Sequence, residues 1–161
     1  MQKEVLSVLV ENNAGVLARV SSLFGQRGFN IDSLTVSATD DPHISRITIV
    51  VCGDADEIAQ VVSQTMKLTE TRDVYVLDAD NTVMRELLLI KLPVEQSTLG
   101  PIRETANIYG ANIVDLSPDT LIIELTGLPG KIDAFLEVIA QYGVLELCRT
   151  GITAMERGRK R

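Results

Sequence analysis

The 161-residue sequence has no tryptophan, three phenylalanines, three tyrosines, one histidine and two cysteines. With so few aromatics it offers little for bases to stack on, which argues against an RNA-recognition surface. A single histidine builds neither a nucleophile-base pair nor a histidine metal site, and His43, next to Pro42, is expected to be an exposed turn residue. Cys52 and Cys148 lie in apolar strand-like runs with no Cys or His nearby. They read as small buried hydrophobes in a reducing compartment. Basic charge is also short: 15 Lys and Arg face 22 Asp and Glu, a formal net charge of −7. That balance argues against nucleic-acid and anionic-membrane partners, which need a basic surface. The basic end at Arg157, Arg159, Lys160 and Arg161 is expected to be solvated. No run reaches the roughly 18 apolar residues of a membrane span. Glu4 and Glu11 interrupt the segment where a signal peptide needs an apolar core, so a cytoplasmic protein is expected.

What the sequence has is aliphatic. Hydrophobic residues make up 45%, mostly Val, Ile and Leu, and charged residues 23%, a composition suited to strands and helix faces of an ordinary globular fold. Residues 3–11 form a β-rich run, broken by Asn12, Asn13, Ala14 and Gly15 before Val16, Val20, Leu23, Phe24 and Arg27 recur at helical spacing. Gly28 suits the left-handed residue that closes a helix. Strands are expected over 31–38 and 44–52 around the turn signal Asp40-Asp41-Pro42. Asp54 can cap a second helix with Ile58, Val61, Val62 and Met66 inward, and 73–77 supplies a last short strand.

The order βαββαβ then repeats. Gly28-Phe29-Asn30-Ile31-Asp32-Ser33-Leu34 is echoed by Gly110-Ala111-Asn112-Ile113-Val114-Asp115-Leu116, the same G-x-N-I-x-x-L at an offset of 82 residues. Further on, 121–125 reads as a strand, 131–142 as a helix with Ile132, Phe135, Leu136 and Ile139 inward, and 144–153 as the final strand. The expected fold is α+β, with two tandem ferredoxin-like βαββαβ domains whose antiparallel sheets carry helices on one face. The expected division is 1–78, a linker at 79–83, and 84–161. Several strands are apolar on both faces or nearly so (Val5 to Val10, Ile47 to Val51, Leu87 to Ile90), so each second face requires a cover, either the sister half or another subunit, and at least a dimer is expected.

No catalytic or metal-binding constellation is found, and no phosphate-binding glycine loop follows any strand. The remaining candidate is the loop at residues 11–17. Its plain reading is a turn with Asn13 as helix cap and Gly15 merely flexible. Its functional reading is an amino-acid receptor: N–H groups at a helix start bind a carboxylate, Asn side chains meet an ammonium, and Val16, Leu17 and Ile31 surround an aliphatic side chain. Asn30 opens the next strand near the same edge.

The run Val8 to Val20 (VLVENNAGVLARV), with LFGQRGFNIDSLTV from Leu23 to Val36, resembles the ACT domain of the acetolactate synthase small-subunit family. The resemblance continues through Thr39-Asp40-Asp41-Pro42, Gly130-Lys131-Ile132-Asp133-Ala134-Phe135 and Arg149-Thr150-Gly151, over essentially the whole chain. It implies a non-catalytic regulatory subunit of a transferase in branched-chain amino-acid biosynthesis. Its partner would be a separate large catalytic subunit holding thiamine diphosphate, Mg and FAD, while this chain binds no cofactor. It further implies a homodimer through the ACT domains, with valine or another branched-chain amino acid bound where two of them meet. The ligand residues carried over are Asn12, Ala14, Gly15, Val16 and Leu17 from one chain with Asn30 and Ile31 from its neighbour. The alternative is a stand-alone ACT-domain regulator of another pathway.

Overall fold

The computed structural model describes residues 2–159, which form two compact units: residues 2–83 together with 152–159, and Met84–Gly151. The first unit runs β1 (Gln2–Glu11), α1 (Val16–Gln26), β2 (Ile31–Ala38), β3 (Ile44–Gly53), α2 (Ala55–Met66) and β4 (Thr71–Val76). Its antiparallel sheet has the order β2-β3-β1-β4. Alternate residues of the central strands, Leu6, Val8 and Val10 with Ile47, Ile49 and Val51, meet Val16, Val20 and Phe24 of α1 and Ile58 and Val61 of α2. Burial of each such side chain is worth about 1.5–3 kcal/mol over exposure, and this layer is the source of the unit's stability.

Local signals set the helix limits. Gly28, at φ 74°, follows α1, and Asp54 and Glu57 form a reciprocal capping box at α2, each side chain accepting the other's backbone N–H at 2.9 Å. Met66, expected inward, is instead 45% exposed, and Thr65 takes the buried place with its hydroxyl donating to the Val61 carbonyl at 2.7 Å. The buried stripe runs 58, 61, 65, so position 66 falls past its edge.

The second face of this sheet carries a line of hydroxyls. Thr35, Thr48, Ser7 and Tyr75 stand opposite one another across all four strands, and Ser7 and Thr48 are buried. The next row is Ser37, Arg46, Leu9 and Asp73. On the β2 edge, Asp32 pairs with Lys3 at 2.6 Å, and the hydrogen bond from Lys3 holds its carboxyl below the usual carboxylate range.

A 3₁₀ turn, Ala79–Asn81, leads into the second unit: β5 (Thr82–Pro93), α3 (Gln96–Tyr109), β6 (Asn112–Leu116), β7 (Thr120–Gly127), α4 (Pro129–Ile139) and β8 (Glu146–Arg149). The order β6-β7-β5-β8 repeats that of the first sheet. Leu88, Ile90 and Leu92 with Leu121, Ile123 and Leu125 pack on Ile102, Ala106, Ile132, Phe135 and Ile139. Gly110, at φ 70°, closes α3 as Gly28 closes α1.

Arg149 fastens β8. Its Nε donates to Glu86 at 2.6 Å, one Nη to Asp133 at 2.7 Å and the other to the Pro129 carbonyl at 3.4 Å. Burial opposes its charge, yet the hydrogen bonds and charges of Asp133 and Glu86 outweigh that and raise its pKa.

Two expectations are corrected here. The single strand over 144–153 is two short strands, β8 and β9 (Thr153–Glu156), because Gly151 at φ 85° turns the chain between them. Neither cysteine is a buried hydrophobe: Cys148 is exposed and Cys52 half-buried, its thiol donating to Asp32. Cys148 stands opposite Leu89 on the face away from the helices, which apolar spacing alone does not distinguish from the core face. The Arg157 N–H donates to the Asn81 carbonyl at 2.8 Å, and contacts group β9 and the residues after it with the first unit.

Candidate functional site

The loop between β1 and α1 is anchored from two sides, by Glu70 and by the turn at Pro42 and His43. The Glu11 N–H donates to the Glu70 carbonyl at 2.8 Å and the Asn12 N–H to the His43 carbonyl at 2.7 Å. The Asn12 amide nitrogen donates to the Pro42 carbonyl at 2.9 Å, leaving its oxygen as the open acceptor. His43 is exposed in that turn, as expected. Asn13 does not cap the helix: its amide donates to Glu11 at 3.0 Å, and Glu11 is also paired with Arg72.

The residue preceding α1 is Gly15, with φ 84° and ψ −8°, a left-handed conformation that L side chains rarely adopt. A Cβ there would find ordinary space, 3.6 Å from Arg19 Nη1, so the demand for glycine is one of backbone angle and not of room. No side chain caps the helix, the Val16 N–H reaches the Asn13 carbonyl only at 3.4 Å, and among the described residues nothing accepts the N–H groups of Leu17 and Ala18. Open donors at the positive end of a helix are a receptor for a carboxylate.

Ala14, Gly15 and Leu17 are exposed around these donors, whereas Val16 is buried in the core and offers the site only its backbone. Asn30 is exposed and Ile31, half-buried, begins β2 opposite Val51. These two follow the far end of the 11-residue α1, about 16 Å along the helix from the loop at 1.5 Å per residue, so, contrary to expectation, Asn30 does not lie near the loop's edge. One chain therefore cannot close both sets around a molecule the size of an amino acid, whereas two chains can each supply one set.

Sequence reasoning missed the charged brace beside the loop. Arg19, one helical turn beyond Gly15 and the only charged residue of α1, is paired with Glu70. Together with the Arg72–Glu11 pair it neutralises the carboxylates flanking the open N–H groups. The four-residue spacing from Gly15 to Arg19 could have placed Arg19 beside the loop, but not its pairing with Glu70. Among the described residues no group of three or more His, Cys, Asp or Glu could hold a metal ion, and no helix is long and apolar enough to cross a membrane.

Comparison with known proteins gives a consistent result over both halves. A family model described as an AHAS small subunit-like ACT domain matches residues 6–73, and one described as the small subunit of acetolactate synthase matches residues 85–158. The probable acetolactate synthase small subunit of Archaeoglobus fulgidus is 49% identical over 159 residues, covering 99% of each chain. The acetolactate synthase small subunit of Mycolicibacterium smegmatis is 46% identical over 153 residues, covering 95% of this chain and 90% of its own. The crystal structure of the acetolactate synthase small subunit from Thermotoga maritima superposes with a TM-score of 0.92 at 38% identity, over 99% of this chain and all of that one.

Proposed function

The chain belongs to the acetolactate synthase small-subunit family, and on that premise we propose that it raises the activity of a separate catalytic subunit and makes it sensitive to a branched-chain amino acid, valine first. It makes no acetolactate by itself. Thiamine diphosphate, Mg and FAD belong to the large subunit, which holds the electron sink for the condensation. The proposed setting is the cytoplasm, with the protein acting as a homodimer in branched-chain amino-acid biosynthesis.

The observation behind the sensing role is the uncapped start of α1, where Gly15 turns the backbone and leaves the N–H groups of Leu17 and Ala18 without an acceptor. In the proposed complex the valine carboxylate takes these donors. The Asn12 side-chain oxygen, whose amide partner is fixed on Pro42, accepts from the ammonium. Exposed Ala14 and Leu17 of one chain, with Asn30 and Ile31 of its neighbour, enclose the side chain. Valine then biases the complex toward an inhibited state to the extent that it binds that state better.

Reconstitution tests the role. The purified chain should show no turnover of pyruvate with added cofactors, should stimulate a large subunit, and should make the complex valine-sensitive. Turnover by the chain alone, or no effect on any catalytic subunit, would contradict it.

A further inference from the structure

The first unit contains a cavity of about 680 Å³ that lies apart from the amino-acid loop, between the open face of its sheet and the C-terminal strand β9. Its volume falls in the range of small-ligand sites, roughly 300–1,000 Å³. All its lining residues belong to the first unit. Leu9, Ala38, Ile44, Ala154 and Met155 give it apolar walls.

Arg46 supplies the charge. It is half-buried, and one of its terminal nitrogens donates to the Ser7 hydroxyl at 3.0 Å and to the Tyr75 hydroxyl at 3.2 Å, two neutral partners on adjacent strands. No ion pair among the described residues engages it. A guanidinium partly removed from water and held in place by hydroxyls keeps its Nε and second terminal nitrogen as a planar fork, the geometry that grips a carboxylate with two parallel hydrogen bonds. The other charged side chains of the lining narrow the choice. Asp40, Asp41 and Glu156 outnumber Arg159 and oppose a second negative charge, so a monoanion is favoured over phosphate.

We propose that this cavity is a small-ligand site that takes an aliphatic monocarboxylate, with Arg46 as the carboxylate receptor and β9 as the wall over the apolar body. The site is separate from the amino-acid loop and makes no use of its N–H groups.

Titration of the full chain with isovalerate, a branched aliphatic carboxylate without an ammonium, tests it by calorimetry. Binding is expected, should persist in Gly15→Asp, and should weaken at least about tenfold in Arg46→Gln, since truncating one partner of a buried charge pair has effects of that order or larger. Inorganic phosphate over the same range should give no heat beyond dilution. Tyr75→Phe removes one of the two acceptors that aim the guanidinium and should weaken isovalerate about threefold or more; it decides the matter if Arg46→Gln does not fold. Absence of isovalerate binding, binding unchanged in both variants, binding lost in Gly15→Asp, or tighter binding of phosphate would each overturn the assignment.

Discussion

Gly15 meets one demand of the fold, a left-handed backbone at φ 84°, and under the proposed function a second, an opening through which a ligand carboxylate would reach the first turn of α1. Gly15→Asp strains the first and blocks the second. A residue with a Cβ in that conformation costs about 1 kcal/mol, with Asp among the better tolerated, and its carboxylate would also compete with Glu70 for Arg19. The variant should therefore fold, lose about 1 kcal/mol of stability in urea titration, and still stimulate the catalytic subunit while leaving it insensitive to valine. In the unsubstituted chain, valine at about 100 times its dissociation constant should add about 2.7 kcal/mol, and the variant should show almost none of that rise. Much of this site was legible in the sequence, because two asparagines, a small residue and a glycine between a strand and a helix already describe an open helix start. The inward direction of Val16 was also legible, from its spacing with Val20 and Phe24. The Arg19–Glu70 brace was not, because Glu70 arrives from the far end of the unit and local spacing says nothing of such a pair.

Strand β8 shows how one side chain fixes an element. It is only four residues long and pairs along one side, with β5, yet Arg149 ties it to buried Glu86 of β5 and to Asp133 in α4. Arg149→Met leaves the Glu86 carboxylate buried without its cation and should destabilise the second unit by about 2–4 kcal/mol. Adding Glu86→Leu should recover at least half of that loss, an outcome that a double-mutant cycle in thermal unfolding would register; equal and additive losses would mean the pair is not coupled. The elements themselves were readable where period and caps agreed. The G-x-N-I-x-x-L string falls at the end of a helix and the start of an edge strand in both halves, with Gly28 and Gly110 both left-handed. Reading failed where an apolar run concealed a turn. Val144 to Thr153 looks like one strand until Gly151 is seen to take φ 85°, and a glycine in an apolar run does not disclose whether it bends the chain. Cys148 was misplaced for a related reason: its run has apolar residues on both faces, and only pairing with Leu89 fixes which face it takes.

At the scale of the molecule, the separation of residues 12–17 from Asn30 and Ile31 by the length of α1 means that the proposed amino-acid site would need two chains. Light scattering at micromolar concentration should give a dimer or larger, and a strictly monomeric chain that still responds to valine would refute the shared site. The grouping of residues 152–159 with the first unit also has a mechanical consequence. A pull applied between Gln2 and Arg159 acts on attachment points that both lie in that unit, while Met84–Gly151 is spliced in with both of its ends held by the same body. Tension reaches the second unit only after the first has been torn open. Stretched between optical traps, the protein should give two rips in fixed order, with the contour length of the second unit always released last. The first unit is thus a mechanical shield, and the inserted unit stays folded until its host has yielded.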